Sequence, residues 1–467
     1  MLRTSAGRSI AETLDKQGLI IAGTFKNRGR SLAIFRIGFG LLVFVSQVRF
    51  LLKGWVEACY LSTDFHFTYQ YFSWVRPLSP DWLMYALVIG SALAALLVAI
   101  GLWYRLAAVV LFLSFTYLEL IEQSWYLNHY YLVALIAFLL CWLPADNCLS
   151  ARSWEPRRSI PLLYTNIIRI QLGLVYFFAG LAKVRSDWLF EAQPLKIWLR
   201  ARTDTPIIGP LLAYEETAYL FSFGGMLYDL SIPFLLIYSR TRPFAFLAII
   251  GFHAMTAVLF PIGMFPWVMI AGGLIFFTDS EWKKWLGLSK STVLRPQDLQ
   301  VNSLRDPRIN RRQTNPNFRS LKFFHLILVL YFSIQFILPI RRFFYPENQL
   351  WTERHYRFGW NVMLAEKTGI TTFRIVDPST DRTWVAYPAA ELSKIQEKQM
   401  SYQPDMIWQY ARHLAEKYRE AEGIEPEVFV DCRVSFNGRP SQLYLPPDLD
   451  LLKVNQDNID DWVMPLL

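Results

Sequence analysis

An apolar segment of the sequence ends in Tyr176-Phe177-Phe178-Ala179-Gly180-Leu181-Ala182-Lys183-Val184-Arg185-Ser186-Asp187-Trp188. The segment begins near Tyr164 and is long enough to cross a bilayer as a helix. Lys183 stands at its end, where hydrocarbon gives way to water. An ionisable group at membrane depth is costly, so it indicates a functional site. The structural alternative is that Lys183 buries its aliphatic stem and keeps its ammonium group in water.

The composition is that of a membrane protein. Of 467 residues, 53% are hydrophobic and 16% aromatic, and the mean hydropathy is +0.23. The net charge of +9 would suggest a nucleic-acid partner if it formed one patch on a soluble domain. The basic residues lie instead in loops between apolar blocks, which indicates membrane orientation and no nucleic-acid partner. Residues 1–30 have no apolar core, so we expect no cleavable signal peptide.

The apolar blocks predict about nine transmembrane helices, near 33–52, 82–102, 105–123, 129–145, 164–184, 217–238, 243–260, 262–278 and 321–340. Pro261-Ile262-Gly263 separates the seventh from the eighth, and so short a link leaves open a single broken or re-entrant element. We predict a cytoplasmic segment 1–30, a helical membrane domain 31–340, and a third domain 341–467.

Charged loops predict the orientation. Basic residues dominate residues 1–30 and outnumber acids in the loop 279–322. Arg105, Arg157 and Arg240 lie in short loops that fall on the same side of the membrane when the predicted crossings are counted. With nine crossings all of these fall on the cytoplasmic side. Segments 53–81, 185–216 and 341–467 then lie on the outer side of the membrane.

The last part of the chain predicts a small α/β domain on the outer face. Thr372-Phe373-Arg374-Ile375-Val376 and the run Val428 to Val434 alternate apolar with polar residues, as half-buried strands do. A helical stretch, 406–421, lies between them. Cys59 and Cys432 both fall outside, where a disulfide between them can form, and the sequence leaves open whether it does. No motif with metal-ligand spacing is present, so we expect no metal.

Polar residues inside the apolar blocks indicate a site. The predicted orientation puts Lys183 and His129 at the same depth near the outer interface, where adjacent antiparallel helices would let them share a cavity. Trp125 is either an interface anchor or part of that cavity. Tyr176 and Arg169 share a helix face with Lys183 at intervals of seven residues.

Two further polar residues lie in the middle of apolar blocks. Asp229 needs a cationic partner, for which we choose Arg169; the alternative is a local hydrogen bond or cap. His253 is more often a packing residue than a catalytic one. A lysine in a low-dielectric pocket loses its proton more readily, so an amine beside an imidazole is suited to act as a general base toward a weakly acidic hydroxyl such as that of a quinol.

Several spaced blocks resemble the vitamin K-dependent γ-glutamyl carboxylase family and its relatives with a horizontally transferred transmembrane domain. The resemblance runs from about residue 30 to the end of the chain. It is strongest in 125–131, 169–188, 227–233, 252–265 and in the ending Trp462-Val463-Met464-Pro465-Leu466-Leu467.

The resemblance implies an enzyme that uses reduced vitamin K or another membrane quinol, O2 and CO2. In the family, oxidation of the quinol to its epoxide supplies a strong base that removes a γ-proton from a glutamate of a protein or peptide substrate, and CO2 captures the carbanion. Ala179-Gly180-Leu181-Ala182-Lys183 matches the family run Ala-Gly-x-Lys-Lys, with Ala182 replacing the first lysine. Lys183 then inherits the role of base toward the quinol.

The same resemblance implies further site residues. His129, in Asn128-His129, matches a family histidine that assists carboxylation. Arg200 matches an arginine near the substrate glutamate only after a shift of one residue. Asn128, Trp125, Tyr176 and His253 are expected around the quinol and substrate, with Arg169 and Asp229 as a structural polar pair. The chain ends at Pro-Leu-Leu, where the animal enzyme continues, so the protein substrate and its docking stay open.

Two alternatives remain at this stage. An uncoupled quinol epoxidase would need Lys183 and O2 but would be indifferent to CO2 and glutamate peptides. A non-enzymatic membrane receptor or transporter would keep its function without Lys183.

Overall fold

The computed structural model describes residues 26–287, 318–344 and 348–467. We call 26–344 the helical region and 348–467 the C-terminal region. Most of the N-terminal segment 1–30 and of the loop 279–322, with many of their basic residues, lies outside the described residues.

The helical region contains thirteen described α-helices, which we number in chain order. They are α1 Arg30–Leu52, α2 Trp82–Ile100, α3 Tyr104–Ile121, α4 Asn128–Trp142, α5 Leu163–Ala182, α6 Ser186–Leu189, α7 Leu195–Arg200, α8 Gly209–Leu212, α9 Glu215–Ile237, α10 Arg242–Leu259, α11 Phe265–Gly273, α12 Asp279–Trp285 and α13 Phe318–Ile340. A two-residue pairing of β1 Lys26–Asn27 with β2 Ile160–Pro161 joins the chain before α1 to the segment before α5.

Seven of the described helices, α1, α2, α3, α5, α9, α10 and α13, are long and apolar enough to cross a membrane. This is the pattern of a polytopic helical membrane protein. The predicted number of nine crossings is not confirmed, because α4 and α11 are shorter than a full span. With its 3-10 extension Leu274–Phe276, α11 reaches about 18 Å, well short of a hydrocarbon core of about 30 Å.

Helix α5 lies at the centre of the bundle. It is the most buried of the seven candidate spans, with 67% of its apolar window inside the protein. Gly180 makes this possible on one side, because a Cβ there would lie 2.9 Å from the backbone nitrogen of Leu230 in α9. The absence of a side chain thus lets the two helix backbones touch.

The C-terminal region is a four-stranded antiparallel sheet with helices. The bounds are α14 Gln349–Thr352, β3 Lys367–Val376, β4 Thr383–Ala386, α15 Lys394–Met400, α16 Pro404–Glu422, β5 Glu427–Phe436 and β6 Gln442–Leu443. The strand order is β4-β3-β5-β6, and Phe373 pairs with Val430 in the central ladder. Strands β3 and β5 alternate buried and open positions, and they contain the two predicted strand segments.

The C-terminal region shares its core with one end of the helical bundle. Trp188, Leu199 and Phe260 of the helical region belong to the same apolar cluster as the buried faces of β3, β5 and α16. Polar contacts cross the same boundary, including the ion pair of Asp187 with Arg439 at 2.9 Å. We call the bundle end under this region the covered end.

The structure does not contain the Cys59–Cys432 disulfide that the sequence left open. Cys59 and Cys432 are both buried free thiols. Cys59 lies in a small cluster with Val56 and Tyr60, whereas Cys432 points from β5 into the core of the C-terminal region, 3.4 Å from the carbonyl of Ser401. Each thiol is therefore packed within its own apolar cluster, and the two are not joined.

Candidate functional site

Lys183 is enclosed at the C-terminal end of α5. The residue is 6% exposed, and its Nζ donates to the carboxylate of Asp229 in α9 at 2.7 Å and to the carbonyl of Ala179 at 3.3 Å. The ring of Trp188 lies 5.5 Å from the ammonium nitrogen. Lys183 therefore does not extend into water, and the structural alternative of a snorkelling lysine does not hold.

Helix packing explains why Asp229 is the partner of Lys183. Asp229 is 14 residues into α9, so α9 begins about 21 Å beyond the level at which α5 ends. The middle of one helix therefore meets the end of the other. Gly180 brings the two backbones into contact one turn before Lys183, which places the Asp229 carboxylate within reach of the amine.

The expected pair of Arg169 with Asp229 is wrong. Arg169 lies 14 residues before Lys183 on α5, which is about 21 Å along the helix axis. Its guanidinium donates to the carbonyls of Ile275 and Phe276, which end the 3-10 turn after α11, and to the side chain of Asn166. These contacts give Arg169 a role in holding the end of a short helix.

Tyr176 and His253 lie together near Lys183. The Tyr176 hydroxyl and the His253 Nε2 atom are 3.2 Å apart, and both side chains are buried. The Nδ1 atom of His253 is buried without a hydrogen-bond partner. The two residues line a small cavity of about 80 Å³ together with Lys183 and Asp229.

His129 lines a different and much larger space. This cavity of about 700 Å³ lies at the covered end, between the bundle and the C-terminal region. His129 is 7% exposed, and its Nε2 atom is buried with no partner. Trp125 and Asn128 also line this cavity. Asn128 donates to the carbonyl of Asn361 at 3.0 Å, so the C-terminal region fixes its orientation.

The structure thus corrects the expectation that Lys183 and His129 share one cavity. The two cavities are neighbours with a common wall of six side chains, which line both spaces: Trp198, Phe260, Ile262, Phe265, Val362 and Met363. A ligand in the large cavity therefore lies on the other side of a thin apolar wall from the amine.

Arg200 does not lie in either cavity lining. It is an exposed side chain paired with Glu215 at 2.9 Å. Two residues further on, Arg202 lines the large cavity, donates to the carbonyl of Val258, and has a buried Nε atom without a partner. The sequence match needed a shift of one residue at this point, so it did not decide between neighbouring arginines. Arg200 is the last residue of α7, and Arg202 lies beyond the end of that helix.

The C-terminal region contributes charged groups to the large cavity that the sequence did not reveal. Lys367 donates to Glu353 at 2.9 Å and to the carbonyl of Trp351 at 2.7 Å, and both charged side chains are more than nine-tenths buried. Burial lowers the pKa of Lys367 and raises that of Glu353, while their mutual attraction opposes both shifts. Lys367 occupies an inward-facing position of β3. A lysine is unusual at such a position, and this is the signal by which the sequence could have indicated it.

Glu122 joins the bundle to the C-terminal region at the same cavity. It is 1% exposed and accepts hydrogen bonds from the backbone nitrogens of Ser124 and Phe67 and from the Gln396 side chain of α15. Burial raises the pKa of this carboxyl to about 7, and the hydrogen bonds limit the shift. In the sequence it lies at the end of the predicted block 105–123, and nothing there indicated its partners.

The two cavities provide complementary chemistry. The small one has a paired amine and carboxylate in apolar surroundings, which suits proton transfer away from water. The large one has the size of ligand pockets in general and combines aromatic walls with unpartnered nitrogens of His129 and Arg202. Within the described ranges, no cluster of three or more His, Cys, Asp or Glu side chains is arranged to hold a metal ion.

A helical membrane bundle capped by an α/β region, with an enclosed lysine and a large cavity at their junction, defines a class of membrane-embedded protein with an enzyme-like site. Comparisons with known families agree. Residues 26–282 match the model of the HTTM domain, and residues 320–467 match that of the vitamin K-dependent gamma-carboxylase lumenal domain. The chain belongs to the vitamin K-dependent γ-carboxylase family. A search of solved structures found no match.

Proposed function

We propose that this protein is a γ-glutamyl carboxylase that couples oxidation of a membrane quinol by O2 to carboxylation of glutamate side chains with CO2. The family domains point to carboxylase-like function. The single observation that supports the full reaction is the enclosed Lys183–Asp229 pair next to a cavity large enough for a quinol head group and a glutamate side chain.

The large cavity fits the substrates. Aromatic side chains such as Trp125 and Trp198 offer stacking surfaces for a quinol ring. The unpartnered Nε2 atom of His129 is available to a ligand oxygen, and the carbonyl contact of Asn128 holds the start of α4 in place. Arg202, which replaces Arg200 in our assignment, offers a cation for a substrate carboxylate.

Lys183 is the proposed base. To accept a proton from a quinol hydroxyl, the amine must first be neutral. Asp229 is 2.7 Å away and can take up the ammonium proton, because burial penalises both charges of the pair and so brings the neutral pair closer in energy to the ion pair than in water. Asp229 then acts as a positioning residue that also holds the displaced proton.

The reaction has a defined balance. When the quinol is bound, its oxidation by O2 would place one oxygen atom in the epoxide, release the other as water, and supply the base strength for removing the glutamate γ-proton. CO2 would bond to the γ-carbon in place of that proton, so that one proton is released overall. His129 is placed to donate or accept a hydrogen bond at the reacting oxygen in the large cavity. The aromatic walls exclude water, which would otherwise protonate the carbanion.

The membrane arrangement is part of the proposal. Charged loops favour a bundle of residues 31–340 in the cytoplasmic membrane of a microbe, with the outer domain of residues 341–467 on the far side. A glutamate-containing protein or peptide would then reach the large cavity from outside, and the quinol would enter from the lipid.

The test is fixation of labelled CO2 into a glutamate-containing peptide by purified protein in nanodiscs with reduced vitamin K. We expect label in the peptide and epoxide in the lipid phase, and loss of both when either quinol or O2 is omitted. Epoxide without label would replace the proposal with an uncoupled epoxidase. Neither product, with folded protein and several quinols tried, would refute an enzymatic function.

A further inference from the structure

Phe265 stands between the two cavities. It is the first residue of α11, and its side chain lines both spaces. Its ring centroid lies 5.9 Å from that of His129 on the large-cavity side and 5.7 Å from that of His253 on the small-cavity side. One aromatic ring thus separates the imidazole of each cavity from that of the other.

The size of the small cavity requires its wall to move during any reaction of a large substrate at Lys183. About 80 Å³ is room for a few water-sized molecules, whereas pockets for drug-sized ligands measure roughly 300–1,000 Å³. A fused-ring quinol in the large cavity can therefore bring its hydroxyl to the amine only if part of the common wall turns aside.

The other aromatic members of the wall are held more firmly than Phe265. Trp198 donates its indole N–H to Glu366 at 2.6 Å, and Phe260 is 8% exposed and packs edge-on against Trp198. Phe265 is only partly buried and carries no polar group that could fix it.

The turn before Phe265 connects this side chain with His129. Gly263 adopts φ +60°, a left-handed conformation, in the turn that leads into α11. The helix start has no side-chain cap hydrogen bond. The turn packs over His129, since a Cβ on Gly263 would lie 3.8 Å from the His129 Nε2 atom. A ligand that hydrogen-bonds to His129 would therefore contact the segment that carries Phe265.

We propose that Phe265 is a positioning residue that gates the passage between the two cavities. Closed, its ring keeps water of the large cavity away from the Lys183–Asp229 pair. When the ring turns aside, the quinol hydroxyl reaches the amine. The base formed from the quinol then takes its proton from the glutamate rather than from water. Its role in coupling rests on the proposed function, whereas its role as a barrier does not.

The coupling role is tested by the ratio of epoxide formed to CO2 fixed. We expect Phe265→Ala to raise this ratio several-fold while epoxide formation persists, because water gains access to the base. Phe246→Ala is the matched control, since Phe246 packs against Phe277 in the same bundle and lines neither cavity. Equal losses of both products in Phe265→Ala, with an unchanged ratio, would overturn the coupling role. Phe265→Leu is the second variant if the alanine protein does not fold.

The barrier role is tested without catalysis. Reductive methylation with formaldehyde and a borohydride labels accessible lysines, and mass spectrometry then compares Lys183 with the exposed Lys394 in the same sample. We expect Lys183 labelling to rise in Phe265→Ala and Phe265→Leu but not in Phe246→Ala. Equal Lys183 labelling in all four proteins would overturn the barrier. Absence of epoxide from the wild type would refute the proposed function alone, because this measurement does not depend on turnover.

Discussion

Lys183 and Asp229 show what a single ion pair does in this interior. The two side chains are 7% and 9% exposed, so neither charge is solvated well without the other. Removing one partner of a buried pair typically costs about 3–5 kcal/mol, because it leaves an uncompensated charge. The pair therefore serves both the stability of the bundle and the placement of the amine.

Asp229→Asn tests the role of the buried carboxylate, with an exposed ion pair as the comparison. The amide keeps the size of the side chain but cannot hold a transferred proton, so we expect epoxide formation to fall by about 10²-fold or more and the melting temperature to drop. Glu215→Gln removes the exposed partner of Arg200 and Lys196 and should leave both quantities near wild type. Wild-type epoxide formation in Asp229→Asn would contradict the role of the carboxylate.

The packing of α5 against α9 is the element that assembles the small cavity. A Cβ on Gly180 would meet the Leu230 side chain at 2.8 Å and its backbone nitrogen at 2.9 Å, and a backbone cannot give way as a flexible side chain can. Leu230 follows Asp229 directly, so any displacement of α9 at this point changes the reach of the carboxylate.

Gly180→Ala should therefore disrupt the site through helix packing. We expect a lower melting temperature and a loss of epoxide formation, measured on protein in nanodiscs. Gly224→Ala is the matched control in α9, because a Cβ there meets nothing within 4 Å and alanine favours a helix. If the two alanine variants behaved alike, the close approach would not be needed for the site.

The sequence predicted the elements better than their partners. Long apolar runs are a local signal, and each predicted block overlaps an observed helix. The partner of Asp229 was missed because α9 starts about 21 Å beyond the end of α5, whereas the block boundaries alone suggest that α9 begins at the interface where α5 ends. The wall at Phe265 and the contributions of Glu353 and Lys367 depend on contacts between distant segments, which no local pattern encodes.

At the scale of the whole molecule, the large cavity exists only because the C-terminal region closes the covered end. Glu122 is one of the links, with Gln396 of α15 as its partner across the boundary. The folded-state pKa of Glu122, about 7, lies above the ordinary glutamate value of 4.5, so the folded protein holds this proton more tightly than the unfolded chain does. Its contribution to stability is present below about pH 4.5 and is lost as the pH rises to about 7.

Glu122→Gln should flatten that dependence. The glutamine side chain is neutral at every pH, so we expect the variant to gain melting temperature relative to wild type between pH 5 and about 7.5. Glu416→Gln, at an exposed position of α16, should keep the wild-type profile. Parallel profiles for wild type and Glu122→Gln would show that this carboxyl does not titrate in that window.

The central claim is that the amine of Lys183 deprotonates the quinol, a step on which both products depend. The most direct measurement quantifies epoxide and labelled peptide in one reaction for wild type, Lys183→Ala and Lys196→Ala. Lys196 is a matched control because it is also ion-paired and near an aromatic ring but lines neither cavity. We predict that Lys183→Ala loses both products by about 10²-fold or more while Lys196→Ala keeps both. Persistent epoxide and label in folded Lys183→Ala protein would contradict this mechanism.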